Sequence, residues 1–106
     1  HHVDPHLKLH PRVANGQLAE AGEPITTLEG SLASILMVER TLLNFMQHLC
    51  GVATQTWRFV QAVEGTGCRV AHTRKTTPGL RLLEREAVLH GGGSAHRYNL
   101  GAAAML

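Results

Sequence analysis

Two cationic pairs carry the chemistry legible in this chain. Arg74-Lys75 sits in Thr73-Arg74-Lys75-Thr76-Thr77-Pro78-Gly79, and His96-Arg97 follows Gly91-Gly92-Gly93-Ser94-Ala95. An arginine presents a planar fork of donors that matches a carboxylate or phosphate, and a lysine presents a compact point charge. Thr73 and Thr76 add hydroxyls beside them. Such a set suits the holding of a small polyanion; a solvated basic turn is the competing reading of the Arg-Lys pair. Three consecutive glycines are conformationally expensive. They suit backbone that must approach a ligand or another chain closely, with a plain flexible linker as the alternative. The segment is neither a GxGxxG fingerprint nor a Walker loop, because the Lys-Ser/Thr ending is absent. Arg40 is a further cation, set among Met37, Val38, Leu42 and Leu43. Burying it is costly unless it is paired, and the adjacent Glu39 cannot share its helix face. Arg40 therefore either lies in water at a helix edge or reaches an anion.

The elements that position these residues follow from pattern. Residues 1–30 read as short strands and turns: Leu7, Leu9 and Pro11 alternate with Lys8 and His10, Ala14 to Gln17 and Ala21 to Pro24 are turns, and Ile25 to Glu29 is a strand closed by Gly30. Ser31 caps a helix over 31–50 whose apolar face includes Leu32, Ile35, Leu36, Leu42, Leu43, Phe45, Met46 and Leu49. Gly51 stops or bends it. A second helical stretch runs from Val52 to Val63 and ends at Glu64-Gly65-Thr66-Gly67. Cys68 to Ala71 reads as a buried strand, Pro78 to Leu89 as a helix with proline in its first turn, and Leu100 to Leu106 as the start of another strand. Helix, strand, helix, strand is the rhythm of a parallel α/β sheet or barrel. In α/β barrels the residues just past a strand's C-terminal end face the active site. Here those residues are His72, Thr73, Arg74 and Lys75, and the positive end of the following helix is expected beside them.

Composition narrows the function classes. The 106 residues suffice for one small domain, and a complete barrel needs about 250. A formal net charge of +2 and 4% aromatic residues argue against a nucleic-acid partner. No apolar run approaches the roughly 20 residues of a membrane helix, so no membrane partner is expected. Cys50 and Cys68 have no CxxC spacing and read as reduced thiols of a cytoplasmic protein. The histidines at 1, 2, 6 and 10 read as a tag remnant or a solvated edge before a metal site. Both ends read as cut within a longer protein: there is no initiator methionine, and the chain closes on the apolar run Gly101 to Leu106. The apolar helix over 32–49 is expected to be only partly covered, and so to form a dimer contact or to aggregate.

At these residues the chain resembles the quinolinate phosphoribosyltransferase family. The resemblance rests on Glu39-Arg40-Thr41-Leu42-Leu43-Asn44-Phe45-Met46-Gln47, on Gly51-Val52-Ala53-Thr54, on Thr73 to Arg81 with Leu83-Glu84 and Ala87-Val88, and on Gly91-Gly92-Gly93 with His96-Arg97 and Leu100. It covers about residue 13 to the end. It implies an α/β protein in which an N-terminal open-faced α+β sandwich, here residues 1–50, precedes an incomplete α/β barrel that begins over 51–106. It implies two subunits paired head to tail in a homodimer or higher homo-oligomer, Mg²⁺ as cofactor, and transfer of a phosphoribosyl group from phosphoribosyl pyrophosphate to quinolinate in NAD synthesis. By the same resemblance Arg74, Arg97 and Thr73 bind the quinolinate carboxylates. Lys75 and His96 work at the quinolinate and phosphoribosyl groups, and Arg40 enters the neighbouring subunit's site. The chain departs from the family pattern at His72, Glu86, Ala95, Asn99 and Ala102. The resemblance places a further lysine and the acids that hold Mg²⁺ and the ribose beyond Leu106, so the isolated chain is expected to lack turnover. A ModD-like, molybdenum-transport-associated branch shares the TRKT block. A non-catalytic anion-binding or assembly module on the same scaffold is therefore the second reading.

Overall fold

A computed structural model of the chain describes residues 4–95. The chain divides into two compact units, His1–Gln47 and His48–Leu106.

In the first unit, strands β1 (Lys8–Pro11) and β2 (Thr26–Glu29) pair antiparallel, with Leu9 opposite Leu28 and Pro11 opposite Thr26. Proline sits at the end of its strand, where a missing N–H costs least. Beyond it the Ile25 carbonyl accepts the N–H groups of Arg12 and Val13, at 2.8 and 3.3 Å. The expected turn at Ala14 to Gln17 closes with a 3.1 Å bond from Gln17 N–H to the Ala14 carbonyl, and Gly16 alone takes positive φ. Leu7 is the buried apolar residue of this unit. It packs so closely on Gly30 that a Cβ there would lie 2.8 Å from its Cδ1.

Helix α1 spans Leu32–Ala62. Ser31 caps it as expected: its hydroxyl accepts the Ser34 N–H at 3.2 Å. Asp4 reinforces this end, one oxygen taking the Ser34 hydroxyl at 2.6 Å and the other the His6 N–H at 2.8 Å. The helix does not stop at Gly51, where a stop or a bend was expected. A glycine inside a helix costs about 1 kcal/mol relative to alanine, less than abandoning a helix with good formers on both sides and nucleating another. The helix ends at the predicted glycine cluster, where Gly65 takes φ +81°.

The second unit holds the later turns of α1, a loop, and helix α2 (Arg81–His90). The expected buried strand at Cys68 to Ala71 is reduced to one parallel bridge, Ala71 with Ser94. The Ser94 N–H donates to the Val70 carbonyl at 2.7 Å and the His72 N–H to the Ser94 carbonyl at 3.3 Å. A strand needs a run of paired residues. Among the described residues the pairing does not extend beyond this bridge, and Cys68, Arg69 and Ala71 are exposed. The strand expected over 100–106 lies outside the described residues.

Helix α2 begins three residues later than its proline suggested. Pro78-Gly79 forms the corner of a turn closed by the Leu80 N–H on the Thr77 carbonyl at 3.0 Å. Gly79 takes φ +80°, a left-handed conformation that excludes it from the helix. At the other end the three glycines have separate tasks. Gly92, at φ +93°, makes a Schellman close: its N–H reaches the Leu89 carbonyl at 3.1 Å, and the Gly93 N–H reaches that of Val88 at 2.9 Å. Gly91 lies against Ala53 and Thr56 of α1, and Gly93 lies against Val88 and Thr56. The glycine triplet is thus the seam of a helix packing. The close backbone approach expected of three glycines is met by the chain's own helix, and the flexible-linker reading is corrected.

Among the described residues, Leu7 and Ala87 are the buried apolar side chains, and α1 presents Leu32, Leu36 and Met37 at 72, 60 and 69% exposure. The expectation that this helix is only partly covered holds in the isolated chain.

Candidate functional site

The site is built in the second unit around the loop between the parallel bridge and α2. His72 is buried, and its backbone closes the bridge onto Ser94. Thr73, Arg74 and Lys75 leave immediately after that anchor. The Thr73 hydroxyl accepts the Lys75 N–H at 3.2 Å, a local turn that holds the two cations in sequence. Lys75 is exposed. Arg74 is half-buried, and its Nε finds no hydrogen-bond partner among the described residues. A guanidinium in that state invites an anion, since a desolvated donor left unpaired is costly.

Helix α2 grips the loop from its first turn. Glu84 accepts the Thr77 N–H on Oε2 at 3.1 Å and the His48 ring on Oε1 at 2.8 Å. Its side chain is only 12% exposed. Hydrogen bonding from Thr77, and then from His48, holds the Glu84 carboxyl below the usual glutamate range. An ionised carboxylate only accepts, so the His48 Nε2 carries the hydrogen of that contact. One turn back, Arg81 reaches the Thr76 hydroxyl at 3.4 Å and the Arg74 carbonyl at 3.5 Å, both long bonds. Arg81 and Glu84 are three residues apart and so lie on one face of α2.

Of the residues singled out in the sequence, Thr73, Arg74 and Lys75 are consecutive in this loop. Arg40 is exposed on α1 in the first unit, with no ion pair among the described residues. His96 and Arg97 lie outside the described residues. His48 and Glu84 were not foreseen as part of the site. Their signal in the sequence is a histidine and a glutamate 36 positions apart, which only the packing of α2 on α1 brings together.

The described residues include no group of three or more His, Cys, Asp or Glu able to hold a metal ion. No helix among them is long and apolar enough to cross a membrane. An open groove of about 320 Å³ lies between the end of α1 and the segment before the bridge, lined by Val60, Glu64, Cys68, Arg69, Gly92 and Ser94 among others. It includes none of Thr73, Arg74 and Lys75.

The fold is a mixed α/β chain in which a cationic loop leaves a parallel bridge, and comparison with known proteins gives the family. The family model "Quinolinate phosphoribosyl transferase, N-terminal domain" matches residues 2–50, and "Quinolinate phosphoribosyl transferase, C-terminal domain" matches residues 52–106. The chain belongs to the quinolinate phosphoribosyltransferase family. It is 43% identical over 95 residues to a nicotinate-nucleotide pyrophosphorylase [carboxylating] of Mycobacterium leprae, covering 90% of this chain and 34% of that protein. To the chloroplastic protein of the same name from Arabidopsis thaliana it is 42% identical over 99 residues, covering 93% of this chain and 28% of the relative. The solved nicotinate-nucleotide pyrophosphorylase of Francisella tularensis superposes with a TM-score of 0.87 at 38% identity, over 93% of this chain and 36% of that one. The chain thus spans about a third of the length of the relatives it matches.

Proposed function

We propose that the chain is part of an enzyme that converts quinolinate and phosphoribosyl pyrophosphate into nicotinate mononucleotide, pyrophosphate and CO₂. In this reading residues 1–50 belong to the N-terminal sandwich domain and residues 51–106 open the barrel. The observation that carries the reading is the register of the parallel bridge. Thr73 and Arg74 follow Ala71 by two and three residues; His96 and Arg97 follow its partner Ser94 by the same two and three. Matched offsets from a parallel pair are what two loops need to serve one site past the strand ends.

Quinolinate carries two carboxylates, and Arg74, Arg97 and Thr73 are the groups proposed to hold them. Lys75 and His96 act at the quinolinate and phosphoribosyl groups. Fixed charges orient the ring nitrogen toward C1 of the ribose. The nitrogen–C1 bond forms as the C1–oxygen bond breaks, and pyrophosphate leaves with that electron pair. Loss of CO₂ from C2 leaves an electron pair on the ring carbon, which takes up a proton. The same cations stabilise the charge that develops in both steps. Mg²⁺ is the proposed cofactor and would neutralise the pyrophosphate. The described residues offer it no cluster, so none of these steps runs through it.

Arg40, exposed and without an ion pair among the described residues, is proposed to serve the neighbouring subunit of a homodimer or higher homo-oligomer. The exposed face of α1 at Leu36 and Met37 supports such an assembly. The two exposed free thiols, Cys50 and Cys68, support a reducing compartment such as the cytoplasm.

The test is calorimetric titration of the chain with quinolinate and with nicotinate, which lacks one carboxylate. Quinolinate is expected to bind more tightly, and Arg74→Ala and Arg97→Ala are each expected to weaken it by roughly tenfold or more. Unchanged binding in both variants overturns the reading. Incubated with quinolinate, phosphoribosyl pyrophosphate and Mg²⁺, the isolated chain is expected to yield no nicotinate mononucleotide.

A further inference from the structure

We propose that Glu84 is a positioning residue that ties the cationic loop to both helices of its unit, so that Arg74 and Lys75 are presented in one conformation before any ligand arrives. The inference takes its ligand from the reading above; its structural half stands without it.

Between the bridge at Ala71 and the start of α2 at Arg81, the chain has no ladder to hold it. Its own local bonds are the Thr73 turn and the Thr77–Leu80 turn. These two turns shape the loop but anchor it to nothing. The external anchors come from one face of α2. Arg81 makes its long contacts to the Arg74 carbonyl and the Thr76 hydroxyl, and Glu84 takes the Thr77 N–H at 3.1 Å. Glu84 is the stronger anchor, because its acceptor is ionised and little exposed, and charge-assisted bonds are the stronger ones. Its second oxygen is held at 2.8 Å by His48 of α1. The carboxylate is therefore pinned from behind while it grips the loop in front. Three chain segments meet at one side chain, and the loop between Ala71 and Thr77 is fixed at both ends.

A second consequence is electrostatic. The loop and the first turn of α2 carry Arg74, Lys75 and Arg81 within eight residues. The two Glu84 oxygens are taken by Thr77 and His48, and the Nε of Arg74 stays without a partner among the described residues. A carboxylate that bonded Arg74 directly would compete with an anionic ligand; one that bonds a backbone N–H does not.

The test uses amide hydrogen exchange by NMR on the whole chain, together with quinolinate titration. In Glu84→Ala the Thr77 amide is expected to exchange about tenfold faster or more, while Gly92, bonded at the far end of α2, keeps its protection. Glu84→Gln keeps one carbonyl acceptor and is expected to restore most of the Thr77 protection. His48→Gln removes only the rear support and is expected to give an intermediate rate. If Glu84→Ala does not fold, the His48→Gln and Glu84→Gln rates decide. The quinolinate dissociation constant is expected to rise about tenfold in Glu84→Ala, with helix content unchanged. Equal Thr77 exchange in all variants overturns the proposal, as does a parallel rise at Thr77 and Gly92. Loosened exchange with unchanged quinolinate binding overturns the positioning role. A wild-type chain that does not bind quinolinate sinks the functional reading instead, and the exchange rates still decide whether Glu84 holds the loop.

Discussion

The two units use polar side chains in contrasting ways. In the first, His10 and Glu29 pair at 3.0 Å and Arg12 bonds the Thr27 hydroxyl at 3.0 Å, all across an exposed two-stranded sheet. The sheet would keep its register without them, because Leu9 opposite Leu28 and the Ile25 carbonyl already set it. In the second unit Glu84 is little exposed and joins a loop to two helices that no sheet ladder connects. Polar contacts on a self-sufficient frame decorate it, whereas polar contacts that replace a ladder determine geometry. Thr73, Arg74 and Lys75, among the residues proposed to meet the ligand, stand in the second setting.

That contrast breaks hardest at the glycines. Gly91→Ala would drive a Cβ into the Ala53 carbonyl and to 2.9 Å from the Thr56 Cβ, both on α1. A loss of about 3 kcal/mol, or failure to fold, is expected in urea unfolding. Gly51→Ala meets nothing within 4 Å and is expected to stabilise α1 by about 0.5–1 kcal/mol. A reversal of these two signs would mean that α2 does not pack on α1 through the glycine seam.

Acid unfolding sharpens the comparison. The Glu84 carboxyl lies below its ordinary value of 4.5 in the folded chain because of Thr77 and His48. A carboxyl lowered by folding contributes stability that is fully present above 4.5 and lost as pH falls through the folded value. Wild type should therefore lose stability below pH 4.5 more steeply than Glu84→Gln, measured as the unfolding midpoint against pH. Asp4 is also lowered, by Ser34 first and the His6 N–H second. Its loss belongs to the first unit and should persist in Glu84→Gln. A Glu84→Gln profile that overlays wild type would remove the assigned role of the carboxylate.

The smallest effect is expected at Glu29→Gln. An exposed pair of this kind contributes about 0–1 kcal/mol, and the urea midpoint should shift little. A larger shift there than in Glu84→Gln at neutral pH would invert the comparison.

Much of this was legible from residues alone. Ser31 capped α1, the glycines after Glu64 ended it, the strands fell at Lys8–Pro11 and Thr26–Glu29, and the ERTLLNFMQ and TRKTTPGLR blocks placed the chain in its family. Caps, turns and alternation are local, so the chain states them directly. The continuity of α1 through Gly51 was not legible, because one residue's propensity is outweighed by the turns on either side of it. Pro78-Gly79 suits both a helix start and a turn; the positive φ of Gly79 decided for the turn. The glycine triplet could have met a ligand, a partner or solvent, and only the approach of α2 to Ala53 and Thr56 showed that it meets a helix. The Glu84–His48 contact belongs to tertiary structure alone. Residues 36 positions apart share no periodicity, and their meeting is set by how two helices pack.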